Sequence, residues 1–286
     1  MAPISIRKQL QVDVELRSVL AFFFASFVLV FAFSLFSMLI AALLLVCIPP
    51  SSYFISKHRN QKFQSTTQAS ILGVVFGFAL SYSIFYNNYK SSCLSRYFAI
   101  LAIFHFTEYV FTAFSNRRSL QPDSFLLNHS VGYWMAASTS WIEFLIELYI
   151  FPFMKSHSLS MLGVLCCIIG EVIRKTAMMH AGSGFTHKLA MAKRSDHVLV
   201  TEGIYAWMRH PGYCGWFIWA VSTQLILCNP ICTFIYTYVT WHFFSQRIYD
   251  EERDLIKFFG SNYIAYQNQV MCGVPFVTGY KMPQHG

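Results

Sequence analysis

The chain has 286 residues, of which 55% are hydrophobic, 18% aromatic and only 12% charged, and its mean hydropathy is +0.45. Soluble domains carry about 25% charged residues, so the composition excludes an ordinary water-soluble domain and makes lipid the main solvent. The net charge of +8 is spread through short connectors with no basic cluster beside exposed aromatics. That pattern excludes a nucleic-acid partner and leaves a topological meaning.

In chain order, residues 1–17 carry charges of both signs and lead directly into residues 18–47, which contain no charged side chain. No short apolar core with a small-residue cleavage pattern precedes them, so a cleaved signal is not expected. Apolar segments fall near 19–35, 36–50, 69–87, 97–115, 131–153, 158–173, 212–228 and 231–246. The first two form one run too long for a bilayer core about 30 Å thick, which predicts a tight hairpin near 34–37. Asn229-Pro230 predicts a second turn, because proline cannot continue the preceding helix. With eight spans, Lys90, Arg96 and Lys155 fall on one face and the other basic residues of the 21 on the opposite face. The positive-inside tendency then puts both termini in the cytosol.

The fold class expected is therefore an all-α integral membrane protein of about eight transmembrane helices. It would end in a cytosolic region and an amphipathic C-terminal helix, with no Rossmann domain. Residues 1–155 would supply about five N-terminal spans. Residues 156–286 would form the catalytic region: the last three spans, the cytosolic connector and the tail.

The ionisable chemistry gathers in that second part. Residues 209–215 read R-H-P-G-Y-C-G, residues 247–255 R-I-Y-D-E-E-R-D-L, and residues 258–266 F-F-G-S-N-Y-I-A-Y. A hydrophobic hairpin of this length returns the two polar clusters to one membrane face. Pro211 suits a first helical turn, Gly212 and Gly215 permit close backbone approach, and a helix start offers free N–H groups to an anion. An ordinary helix start with Arg209 and His210 as interfacial anchors explains that stretch equally well. Arg247 and Glu251, four apart, share a helical face, where an Arg fork can grip a carboxylate and a neighbouring Glu can orient it. Leu255, Phe258, Phe259, Tyr263 and Tyr266 have the spacing of an amphipathic tail helix. Glu143, Glu147, His105 and Glu108 lie inside spans, where ionisable groups are functional suspects; hydrogen bonding between helices is the simpler explanation. The eight cysteines lack ligand spacing, so no metal site is expected. No G-x-G-x-x-G, P-loop or H-E-x-x-H is present.

These three stretches resemble the C-terminal signature of integral-membrane methyltransferases, shared with phospholipid N-methyltransferases and, more loosely, with membrane sterol reductases. The upstream R-K-T-A-M-M-H-A-G-S-G-F-T-H and H-V-L-V-T-E-G-I-Y-A-W-M-R-H-P resemble the eukaryotic isoprenylcysteine carboxyl methyltransferases in particular. The likeness covers roughly the last 120 residues; the first 150 carry no matching motif. It implies S-adenosylmethionine as cofactor, held by His197, Val198, Leu199, Val200, Tyr205, His210, Pro211, Gly212 and Tyr213. Arg247 and Glu251 match the family's substrate-side pair, while Ala190 stands where relatives would be expected to carry a polar residue. The resemblance also implies residence in the endoplasmic reticulum membrane, a cytosolic cofactor-binding region and access for a lipid substrate through residues 1–155; the charge bias puts the site on the cytosolic face.

The reaction expected is methyl transfer to the C-terminal carboxylate of a farnesylated or geranylgeranylated cysteine, on small GTPases and other CaaX proteins. Such a carboxylate is already ionised, so no base is needed; the protein must desolvate and align it. Arg247 would hold one oxygen and Glu251 would orient Arg247. The alternatives are phospholipid N-methylation, a sterol reductase using a nicotinamide cofactor, and a transporter using Glu108, Glu143 and Glu147.

Overall fold

The computed structural model describes residues 6–58, 63–86, 88–127, 130–187 and 198–282, with Arg7 and Tyr89 described by backbone only. His197 and Ala190 therefore lie outside the described residues. Among the described residues the architecture is all-helical: α1 Ile6–Val12, α2 Val14–Ser34, α3 Met38–His58, α4 Phe63–Phe85, α5 Tyr89–Ser115, α6 Val131–Ile150, α7 His157–Ala181, α8 Pro211–Leu227, α9 Pro230–Phe259 and α10 Ser261–Gln269. An isolated bridge between Met208 and Met271 is the nearest approach to β structure among them. By length and composition, α2, α3, α4 and α5 are apolar enough to cross a membrane.

Both expected turns are present. The chain reverses between Ser34 and Met38, and again between Leu227 and Pro230, where Cys228 takes a left-handed conformation with φ 55°. Two helices overrun their apolar segments. α7 continues through Arg174-Lys175 to Ala181, because both cations find buried partners instead of marking a boundary. α9 runs on past residue 246 to Phe259, since Phe244, Ile248, Glu252 and Ile256 keep one buried face at a spacing of four.

Glycines set the α7–α8 contact. A Cβ on Gly170 would lie 2.6 Å from the Gly215 carbonyl oxygen, and one on Gly215 would lie 2.5 Å from that of Gly170. Small residues allow two membrane helices to approach this closely. The approach carries Arg174, one turn beyond Gly170, against the start of α8. The suspect residues inside helices mostly serve as helix-to-helix ties. Glu143 accepts the N–H groups of Ile231 at 2.8 Å and Cys232 at 2.7 Å, capping α9. Glu147 receives Lys155 Nζ at 2.6 Å, and His105 lies 2.9 Å from the Tyr133 hydroxyl.

Candidate active site

Two adjoining cavities lie where α7, α8, α9 and the connector meet. The larger, of about 140 Å³, is lined by Val198, Leu199, Val200, Tyr205, His210, Pro211, Gly212 and Tyr213, which are the described members of the expected cofactor set. Its wall also includes Phe185, Thr186, Glu251, Asp254, Leu255, Phe258, Phe259, Tyr263 and Tyr266. The smaller, of about 30 Å³, is lined by Leu126, Arg174, Phe185, Thr186, His187, Tyr213, Trp216, Phe243 and Arg247. Phe185, Thr186 and Tyr213 face both.

Arg247 and Glu251 are linked, but not directly. Arg247 Nε donates to the Tyr213 hydroxyl at 2.9 Å, and that hydroxyl donates to Glu251 Oε2 in turn. A hydroxyl has a single hydrogen to give, so the polarity of this relay is fixed from Arg247 to Glu251. Arg247 Nη2 also donates to the His187 carbonyl at 2.6 Å. Arg247 thus faces the smaller cavity and Glu251 the larger, with Tyr213 between them. The sequence pattern placed Tyr213 only on the cofactor side.

Arg209 and His210 line the larger cavity, and their side chains also meet Glu252, which is fully buried. Glu252 Oε1 accepts from Arg209 Nε at 2.7 Å and from the Tyr263 hydroxyl at 3.1 Å, and lies 3.1 Å from His210 Nε2. Its Oε2 accepts from Gln267 Nε2 at 2.8 Å and from the Tyr280 N–H at 3.0 Å. Arg209 further donates to the carbonyls of Gln267, Val270 and Thr278. Burial pushes the Glu252 carboxyl up, but His210 and Arg209 outweigh it and hold it below the usual carboxylate range. One carboxylate therefore clamps the tail over the larger cavity, where Tyr263 and Tyr266 form part of the wall. Burial pushes the Tyr266 phenol up to about 12, so it stays a neutral donor, bonded to the Tyr205 carbonyl at 2.6 Å.

Sequence reasoning missed Glu252 as a hub, although its signal was present. An acidic residue at the centre of the 244–248–252–256 apolar stripe must be buried, and a buried charge must be paired. It also missed Arg174, read only as a span end. Arg174 is 2% exposed, donates through Nη1 to the Gly212 carbonyl at 3.1 Å, and lies 4.6 Å from the Trp216 ring centroid.

The family model described as isoprenylcysteine carboxyl methyltransferase matches residues 161–257, a stretch that supplies most of the lining of both cavities. The Xenopus laevis protein-S-isoprenylcysteine O-methyltransferase is 47% identical over 226 residues, spanning 79% of this chain and 78% of the relative. The chain belongs to the isoprenylcysteine carboxyl methyltransferase family. The human member is 44% identical over 79% of both chains. A solved structure described as the eukaryotic intramembrane Ras methyltransferase superposes with a TM-score of 0.90 at 39% identity, covering 94% of this chain and 100% of that one. The likeness to these family members thus extends well into the N-terminal half, where the sequence had offered no motif.

Proposed function

We propose that this chain methylates the C-terminal carboxylate of prenylated cysteine, taking the methyl group from S-adenosylmethionine. The observation that carries the reading is the pairing of cavities in a chain of this family. A larger one lined by the signature residues meets a small one carrying two arginines, through the shared residues Phe185, Thr186 and Tyr213. The larger cavity suits the cofactor. Phe258, Phe259, Tyr263 and Tyr266 offer flat apolar walls to a heterocycle, and Glu251 and Asp254 offer carboxylates to an ammonium group. At Gly212 a Cβ would already lie 3.1 Å from the Phe185 ring, so a larger residue would intrude there. Bound there, S-adenosylmethionine would supply an electrophilic methyl on a sulfonium.

The remaining work falls to the chain's own residues. Arg247 and Arg174, from different helices, place two guanidinium groups on the smaller cavity, and a carboxylate between them would be fixed in orientation. Each arginine already leans on an acidic partner, Glu108 directly and Glu251 through Tyr213. The site can therefore position the acceptor without fully neutralising it. Leu126, Trp216 and Phe243 give that cavity an apolar side, matching an isoprenoid.

In this reading the chain crosses the endoplasmic reticulum membrane eight times, with both termini and both cavities on the cytosolic side. Residues 1–155 contribute lateral access for the lipid chain and residues 156–286 the chemistry. The substrates are small GTPases and other CaaX-processed proteins, together with membrane lipid around the isoprenoid. Esterification removes a negative charge beside the lipid anchor, which strengthens association with an anionic leaflet. A synthetic peptide ending in S-farnesylcysteine, incubated with the purified protein and S-adenosylmethionine, should gain one methyl group that mild base removes. A methyl group on any other atom, or none, would reject the reading.

A further inference from the structure

Glu108 and Thr112 are spaced by four on α5, so they share one helical face, and Asn116 caps the helix end just beyond them, its N–H on the Thr112 carbonyl. Opposite them runs the connector. Asn116 Nδ2 donates to the carbonyls of Ser183 at 3.2 Å and Phe185 at 3.0 Å. Thr112 Oγ1 lies 3.1 Å from His187 Nε2, and Glu108 Oε2 lies 3.7 Å from His187 Nδ1. Ser183 sits in the 3-10 turn Gly182–Gly184, and the backbone becomes extended at Phe185. Side chains from α5 and its C-cap thus hold the segment whose Phe185 and Thr186 line both cavities.

Glu108 does more. It is fully buried and takes Arg174 as a fork, with Nε at 2.5 Å and Nη2 at 2.8 Å, and Lys175 Nζ at 2.5 Å. Packing α5 against α7 would need neither a guanidinium lining a cavity nor a row of polar side chains along the connector.

We propose that this face of α5 is a positioning element for methyl transfer. Glu108 aims the Arg174 guanidinium into the acceptor cavity, and Glu108, Thr112 and Asn116 together hold residues 183–187 as the partition between acceptor and cofactor. The inference rests on the methyl-transfer reading above. Its force comes from geometry: a misplacement of about 1 Å at the reacting centre costs on the order of 100-fold in rate.

The test uses the full chain in lipid nanodiscs with N-acetyl-S-farnesylcysteine as acceptor, comparing E108Q, R174K, E108Q/R174K, T112V and N116A. E108Q and R174K should each lower kcat by about 30-fold or more, and the double variant should be no worse than the weaker single, as expected for residues acting as one unit. Affinity for S-adenosylhomocysteine should stay within about threefold. T112V and N116A carry no charge change, so they remain informative if E108Q fails to fold. They should lower kcat by about tenfold at unchanged melting temperature. Additive losses in the double variant, or activity that simply follows melting temperature, would overturn the inference. So would normal turnover in E108Q and N116A beside an active wild type. A wild type inactive on this acceptor would overturn the methyl-transfer reading, and this inference with it.

Discussion

Arg247 reaches the smaller cavity with Nε on the Tyr213 hydroxyl and Nη2 on the His187 carbonyl. If it positions the acceptor, Arg247→Ala should lower turnover by about 100-fold while cofactor affinity stays within a few-fold. Arg247→Lys should recover little, because an ammonium group cannot reproduce the fork. Equal loss of cofactor binding, read by titration, would remove that role. Glu252 makes a different prediction. Its folded carboxyl is held below the ordinary range, so its stabilising contribution is complete above the unfolded carboxylate range of about 4.3. That contribution is lost only as pH falls through the lowered folded value. Thermal stability should therefore show no Glu252 contribution to its slope between about pH 6 and 8. Glu252→Gln strips the partner from buried Arg209 and should cost about 3–5 kcal/mol, measured by melting in detergent. The local spacing exposed Arg247 and Glu251 to sequence reading. Tyr213 as their link was not legible, because a relay between two helices depends on their relative depth.

At the scale of elements, the hairpin turns were legible because they follow from span length and proline chemistry, which are local. The overruns of α7 and α9 were not, because each depends on tertiary partners for its charges: Glu108 for Arg174 and Lys175, and Arg209 for Glu252. The α7–α8 crossing offers a clean test. Gly170→Ala would press a methyl group against the Gly215 carbonyl and, at 2.9 Å, the Trp219 nitrogen, both backbone atoms with little freedom to move. Overpacking of this kind costs about 1–3 kcal/mol. Because the same crossing sets Arg174 beside Gly212, turnover should fall further than the loss of folded protein explains. On α6, Gly132→Ala meets only the Ser130 hydroxyl, at 3.8 Å, and should leave the melting temperature within about 1 °C. Similar destabilisation at both sites would contradict the packing argument.

Over the whole molecule, the ends of the bundle divide the labour. Lys155, Glu147 and Asn229 lock one end around a buried ammonium group. At the other end the connector, the starts of α8 and α10, and the tail converge on the two cavities. Composition foretold a membrane protein, and the motifs gathered the candidate site at one end of it. The contribution of α5 stayed hidden, because its polar residues find their partners 66 to 75 positions away. Methyl esterification of a prenylcysteine carboxylate can be read in a single assay. The purified protein in detergent and lipid receives methyl-tritiated S-adenosylmethionine with N-acetyl-S-farnesylcysteine and phosphatidylethanolamine in the same vessel. Base-labile, volatile label should appear on the farnesylcysteine and none on the phospholipid; base-stable label on the phospholipid would mean an N-methyltransferase instead.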